Sequence, residues 1–184
     1  MRIVLDGVKP LMKRMDPKLI TASYVRALNR TATTAVKEVT KAVIGRYNIL
    51  AKDFKATSKV KKATKEDPVA VISFVSSPIP LYKFKAKPVK VRKKGRTYTG
   101  VSAKVLKKGR RSRVKGAFPV KKGTHIGAFR RVGKSRYPIM ELKVFSPTTM
   151  IRMVDGEKLV DDVFNEHFVK RFVDDYRYRL EKVK

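Results

Sequence analysis

Twenty-one Lys and Arg residues fall between Asp67 and Glu141, and no Asp or Glu interrupts them. Lysine and arginine donate charge-assisted hydrogen bonds to phosphate and carboxylate oxygens, and arginine does so in a planar fork. A stretch of 73 residues with a single sign of charge repels itself unless a polyanion or acidic neighbours neutralise it. Two groups within it are the candidate contacts to an acidic partner or to DNA phosphate. Arg110, Arg111 and Arg113 lie in the most basic part. Arg130, Arg131, Lys134 and Arg136 surround Gly133 and precede Pro138, residues that fix a turn.

Other chemistry is poorly served. Gly133-Lys134-Ser135 has the residues that close a phosphate-binding loop, but Ala128 stands where that motif needs its first glycine, and Tyr137-Pro138 follows where a helix should start. There are two histidines and no cysteine. His167 falls on the apolar stripe of a helix and reads as a packed core histidine, and His125 lies near a turn, so a zinc site is not expected. Asp161-Asp162 and Asp174-Asp175 read as the solvated side of that same helix or as partners of basic neighbours. No serine sits in a nucleophile elbow. The expectation is a protein that is not an enzyme, with no catalytic residue, metal or cofactor. Six aromatic residues (Tyr82, Phe84, Tyr98, Phe118, Phe129 and Tyr137) interleave with the cations. Base stacking would use them on single-stranded nucleic acid, and the core face of strands would use them equally well.

The totals agree. The chain has 184 residues, a net charge of +31 and 42% hydrophobic residues, enough for a modest core in one domain spanning 1–184. Residues 1–67 carry 16 basic and 6 acidic side chains, whereas residues 141–184 carry nine of each. The C-terminal part therefore reads as an ordinary globular segment, and the basic load belongs upstream. The absence of cysteine suits a reducing compartment or a particle assembled inside a cell. No stretch approaches the roughly 18 apolar residues of a membrane span, and the N-terminus lacks the apolar run of a signal peptide.

The elements that must position the cations read as α+β. Residues 1–8 suit a short strand. Asp16-Pro17 can cap and start a helix, and Leu28, Ala32, Ala35, Val39 and Ala42 put one apolar stripe along it to about Gly45. A short helix or turn follows near Ile49–Phe54. Ser58–Thr64 and Val69–Ser76 suit a hairpin turned at 65–68, and Leu81–Phe84 reads as a resumed strand after Ser77–Pro80. Residues 85–116 read as a basic arm or extended hairpin. Ala117–Val120 and Thr124–Val132 pair about Lys121–Gly123, and Tyr137–Phe145 adds a strand. Ser146-Pro147 starts a short helix. The last helix covers 157–181, with Val160, Val163, Phe164, His167, Phe168, Arg171, Phe172 and Tyr176 inward.

Four strings carry a resemblance. Phe129-Arg130-Arg131-Val132-Gly133-Lys134-Ser135-Arg136-Tyr137-Pro138-Ile139-Met140-Glu141-Leu142 resembles the closing signature of the bacteriophage minor tail protein Z family. That signature runs from a phenylalanine and a basic pair through a glycine and a basic loop to Pro-Ile-x-Glu-Leu. Ala27-Leu28-Asn29-Arg30, Pro78-Ile79-Pro80-Leu81 and Gly116-Ala117-Phe118 resemble further family segments and occur in the same order. The likeness spans about residues 20–150, and the chain departs from it in its long last helix and in a basic insert around 90–113.

The resemblance implies a structural virion protein, a tail completion protein at the head–tail junction of a long-tailed phage. Its fold would be a long N-terminal helix on an antiparallel sheet with a C-terminal helix, arranged as a ring, usually a hexamer, on the DNA path. Implied partners are further copies of itself, tail terminator, tail tube or head-connector proteins with acidic faces, and duplex DNA in the lumen, with no membrane. The implied location is the virion tail or neck, after assembly in the host cytoplasm. The rival reading is a stand-alone nucleic-acid-binding protein, such as a basic ribosomal protein, which length and charge suit equally.

Overall fold

The computed structural model describes residues 2–5, 16–93, 96–122 and 125–183. Its elements run β1 (Arg2–Leu5), α1 (Pro17–Arg46), α2 (Ala51–Lys55), β2 (Ser58–Lys61), β3 (Ala70–Phe74), β4 (Lys87–Lys93), β5 (Arg96–Ala103), β6 (Ser112–Val114), β7 (Ala117–Lys122), β8 (His125–Arg131), β9 (Ile139–Glu141), α3 (Pro147–Arg152) and α4 (Gly156–Val183). Two long helices and antiparallel sheets make the fold α+β. The expected turns at Gly95 and Gly123 lie outside the described residues.

Helix α1 starts where the sequence provides a start. The Asp16 carboxylate accepts from the Lys18 N–H at 2.9 Å, and Pro17 has no N–H to leave unsatisfied in the first turn. Leu28, Ala32, Ala35 and Val39 are buried, as their spacing predicts. Beyond them the buried face continues through Val43 rather than Ala42. The threonines adapt to the helix by donating back to carbonyls four residues earlier, Thr33 to Asn29 at 2.9 Å and Thr40 to Val36 at 2.6 Å.

Helix α4 packs along α1. Its Phe164, Phe168, Phe172 and Tyr176 recur every four residues, so their rings form one column, with Phe164 stacked on Phe168 at 4.6 Å between centroids. Tyr24 of α1 meets Phe168 edge-on at 5.4 Å. His167 and Arg171 sit half-buried at the edge of this stripe. The first sheet, in the order β1-β3-β2, supplies Ala70, Ile72 and Phe74 to the same core. The expected hairpin of β2 and β3 is present, with Ser58 opposite Phe74 and Lys61 opposite Val71.

The expected strand at Leu81–Phe84 is instead one 3-10 turn over Leu81–Lys83. Pro78 and Pro80 lack N–H groups, which shortens any ladder there. The turn drops Phe84 into the core, where it is fully buried, and Lys85 follows at φ 51. Likewise only Ile139–Glu141 of the expected strand 137–145 joins a ladder, and Lys143 makes an isolated bridge to Pro80.

Residues 87–114 form a second sheet, β4-β5-β6, in which β4 and β5 are a long hairpin registering Lys87 with Ser102 and Lys93 with Arg96. Gly116, at φ 74, turns the chain into the third sheet, β7-β8-β9. Glycine takes that conformation at little cost. Between these two sheets lies a small core of Leu81, Ala86, Val101, Ala103, Ala117 and Ala128. Ser146 caps α3 by accepting from the Thr149 N–H at 3.2 Å. No described helix is long and apolar enough to cross a membrane.

Candidate partner interface on the basic sheets

Strand alternation sorts the second group of cations. Arg131 falls on the Phe129 face of β8 and Arg130 on the opposite one. Phe129 registers with Phe118 and Glu141, and Arg130 with Ala117 and Met140. The Arg131 guanidinium lies 5.4 Å from the centre of the Phe118 ring and donates through Nη1 to the Arg136 carbonyl at 2.7 Å. One level inward, the Val132 N–H donates to the Pro138 carbonyl at 3.1 Å. These bonds close the β8–β9 turn and carry Lys134 at its exposed tip. The Tyr137–Pro138 peptide is cis, and the Arg136 guanidinium sits 5.8 Å from the Tyr137 ring. Val132 and Tyr137 are about two-thirds exposed, at 64% and 65%. The turn therefore presents apolar surface rimmed by cations. The Arg130 stem passes beside Gly116, where an added Cβ would sit 3.7 Å from it.

The first group is held by the end of α1. The Asn48 N–H donates to Val105 at 2.8 Å and the Lys107 N–H donates to Arg46 at 2.9 Å, which pins the loop before β6. Arg110 is exposed in that loop, and Arg113 stands on β6 opposite Ser102. Arg111 is partly committed to structure, because its Nη1 donates to the carbonyls of Lys85 at 3.0 Å and Ser102 at 3.2 Å. The structure thus joins Arg131 to Arg136 directly and places Arg110, Arg111 and Arg113 on the neighbouring sheet and its loop.

Among the described residues none of the seven makes an ion pair, whereas Lys83, from the same basic run, pairs with Asp53 at 2.9 Å. All seven are exposed. Their guanidinium and ammonium groups are open to phosphate or carboxylate oxygens at little desolvation cost. The interleaved aromatics divide by burial. Phe84 is core, Tyr82, Phe118 and Phe129 are half-buried, and Tyr137 is exposed. The Tyr98 side chain lies outside the described set. Of these interleaved aromatics with described side chains, Tyr137 is the one exposed enough to stack on a partner.

No group of three or more His, Asp or Glu among the described residues could hold a metal ion. His167 lies 3.9 Å from Glu166, and the His125 side chain falls outside the described set.

The separated strings of the sequence meet in space. Leu81 donates to Leu142 at 2.8 Å, Ile79 to Phe145 at 3.1 Å, and Val144 back to Ile79 at 2.9 Å. The Pro-Ile-Pro-Leu segment is therefore zipped to the residues following Glu141, and Gly116-Ala117-Phe118 pairs with Phe129-Arg130 on β8. Sequence spacing gave no sign of the first of these pairings, whose partners lie some sixty residues apart, whereas the second is the expected pair about Lys121–Gly123. A family model for prophage minor tail protein Z matches residues 7–182. No curated protein and no solved structure matches the chain.

Proposed function

We propose that this chain, which belongs to the prophage minor tail protein Z family, completes the tail by assembling with copies of itself into a ring at the head–tail junction. The observation that carries this reading is the set of seven exposed cations without carboxylate partners among the described residues, on a minor tail protein of net charge +31. A closed ring of such chains concentrates positive charge, so its stability requires anions from outside. Acidic faces of a tail terminator, tail tube or head-connector protein would supply them on one side, and duplex DNA in the lumen on the other. Arg130, Arg131, Lys134 and Arg136 are the contacts on the β8–β9 turn, and Arg110, Arg111 and Arg113 those on the adjoining sheet. Tyr137 and Val132 supply the apolar centre that a cation rim needs for a stable protein contact. The role is architectural, with no chemical step, and six copies is the ring expected.

Purified particles test it. The protein should be present in several copies per particle, and cross-linking should give a ladder ending at the ring size. Its absence from particles, with recovery on ribosomes, would replace this reading by the nucleic-acid-binding one.

A further inference from the structure

A second cationic site is built from residues outside the basic sheets. Between α1 and α4 lies an open groove of about 620 Å³, whose walls carry Arg26 and Arg30 from α1, Lys62 from just past β2, and Arg171 from α4. Asp175 beside it is already engaged, by Arg26 at 3.3 Å and by Arg179 at 2.7 Å. Arg30 and Lys62 are exposed and make no ion pair among the described residues. Arg171 is half-buried, and among the described residues its one side-chain bond is to the Thr31 hydroxyl at 3.3 Å. Burial first, and the Arg30 charge second, pull the Arg171 guanidinium below its ordinary value. Three cations facing one groove with no counter-charge of their own among the described residues repel one another, and an anion entering would relieve that repulsion.

The shape of the groove selects among anions. It is far larger than one phosphate ion needs, since a liquid water takes roughly 30 Å³. The three uncommitted cations reach the groove from separate segments, Arg30 from α1, Lys62 from just past β2 and Arg171 from α4, so its walls offer more than one contact to an anion. The apolar residues of the wall are only Ala22 and Val25, too few to offer the sockets by which a peptide is usually held. We propose that this groove binds the phosphodiester backbone of a nucleic acid, with Arg30, Lys62 and Arg171 holding successive phosphates. The site is a property of one folded chain and stands whether or not the ring forms.

The test measures binding of a short duplex and of a single strand of equal length to the full chain over a series of salt concentrations. R30Q/K62Q is compared with K52Q/K158Q, which removes the same charge from exposed positions outside the groove. Thermal melts confirm that both variants are folded. The groove variant should bind roughly tenfold more weakly and lower the slope of log affinity against log salt by about two, one for each phosphate no longer neutralised. The control should change the slope by well under one. R171Q, checked by the same melts, should also weaken binding and should lower the slope by about one. Equal losses in the groove and control variants would overturn the proposal. So would tighter binding of poly-glutamate than of nucleic acid at equal charge, which would make the occupant an acidic protein.

Discussion

Asn29 satisfies both backbone groups of Ala63: its Nδ2 donates to the Ala63 carbonyl at 3.0 Å and its Oδ1 accepts from the Ala63 N–H at 2.8 Å. Ala63 is buried, so neither group could turn to water. One side chain of α1 thereby does for the segment after β2 what a neighbouring strand would do. Asn29→Ala leaves a buried donor and a buried acceptor unpaired and should cost about 2–4 kcal/mol. Asn29→Asp restores only the acceptor and should recover part of that loss. Chemical denaturation of the three proteins measures it, and an unchanged midpoint in the alanine variant would refute the assignment.

Asp175 ties α4 to α1. Its carboxylate is buried, with 7% of the side chain exposed, and is shared between Arg26 of α1 and Arg179 one turn along α4. Asp175→Asn removes the charge from between two guanidinium groups. Because Arg26 is half-exposed, water screens part of the change, and a loss of about 1–2 kcal/mol is expected. The double variant Asp175→Asn with Arg26→Gln should lose less than the sum of the two single changes, as partners in one contact do.

Gly156, the first residue of α4, is required for space. A Cβ there would collide with the Ile151 side chain and come within 3.1 Å of the Ile151 carbonyl oxygen, and Ile151 is fully buried. The unusual backbone angle belongs to the preceding residue, Asp155, at φ 50. Gly156→Ala should therefore destabilise by about 1–3 kcal/mol through overpacking. Asp155→Gly should be tolerated, since glycine adopts that angle freely. Calorimetric melts of both variants distinguish crowding from backbone conformation.

Much of the fold was legible because local signals agreed with the packing. Asp16-Pro17 and Ser146-Pro147 marked helix starts that the structure uses, and the four-residue recurrence of aromatics marked the buried face of α4. The Leu81–Phe84 segment misled because a run of apolar and aromatic residues suits a strand and a tight turn alike, and only the burial of Phe84 separates them. Residues 87–114 read as little more than a basic ribbon because their shared core is largely alanine, which carries a weak hydrophobic signal. The cations of the β8–β9 turn were legible from the glycine and proline around them. The α1–α4 groove was not, because Arg30, Lys62 and Arg171 come from three distant segments whose meeting depends on the tertiary fold.

The basic turn should matter for assembly and hardly at all for folding. Arg131→Gln with Arg136→Gln changes exposed groups, so the melting temperature should fall by no more than the equivalent of about 1 kcal/mol. The same variant should fail to rescue infectious particles when it replaces the natural chain. Full rescue would remove this turn from the proposed interface.

If this chain is an assembly part whose positive charge is balanced by its neighbours, particles made without it should fail at one joining step, which electron microscopy reads. Filled heads are expected beside finished tails, unattached, and the two should join when purified protein is added. Normally joined particles without the protein, or tails that never form, would contradict it.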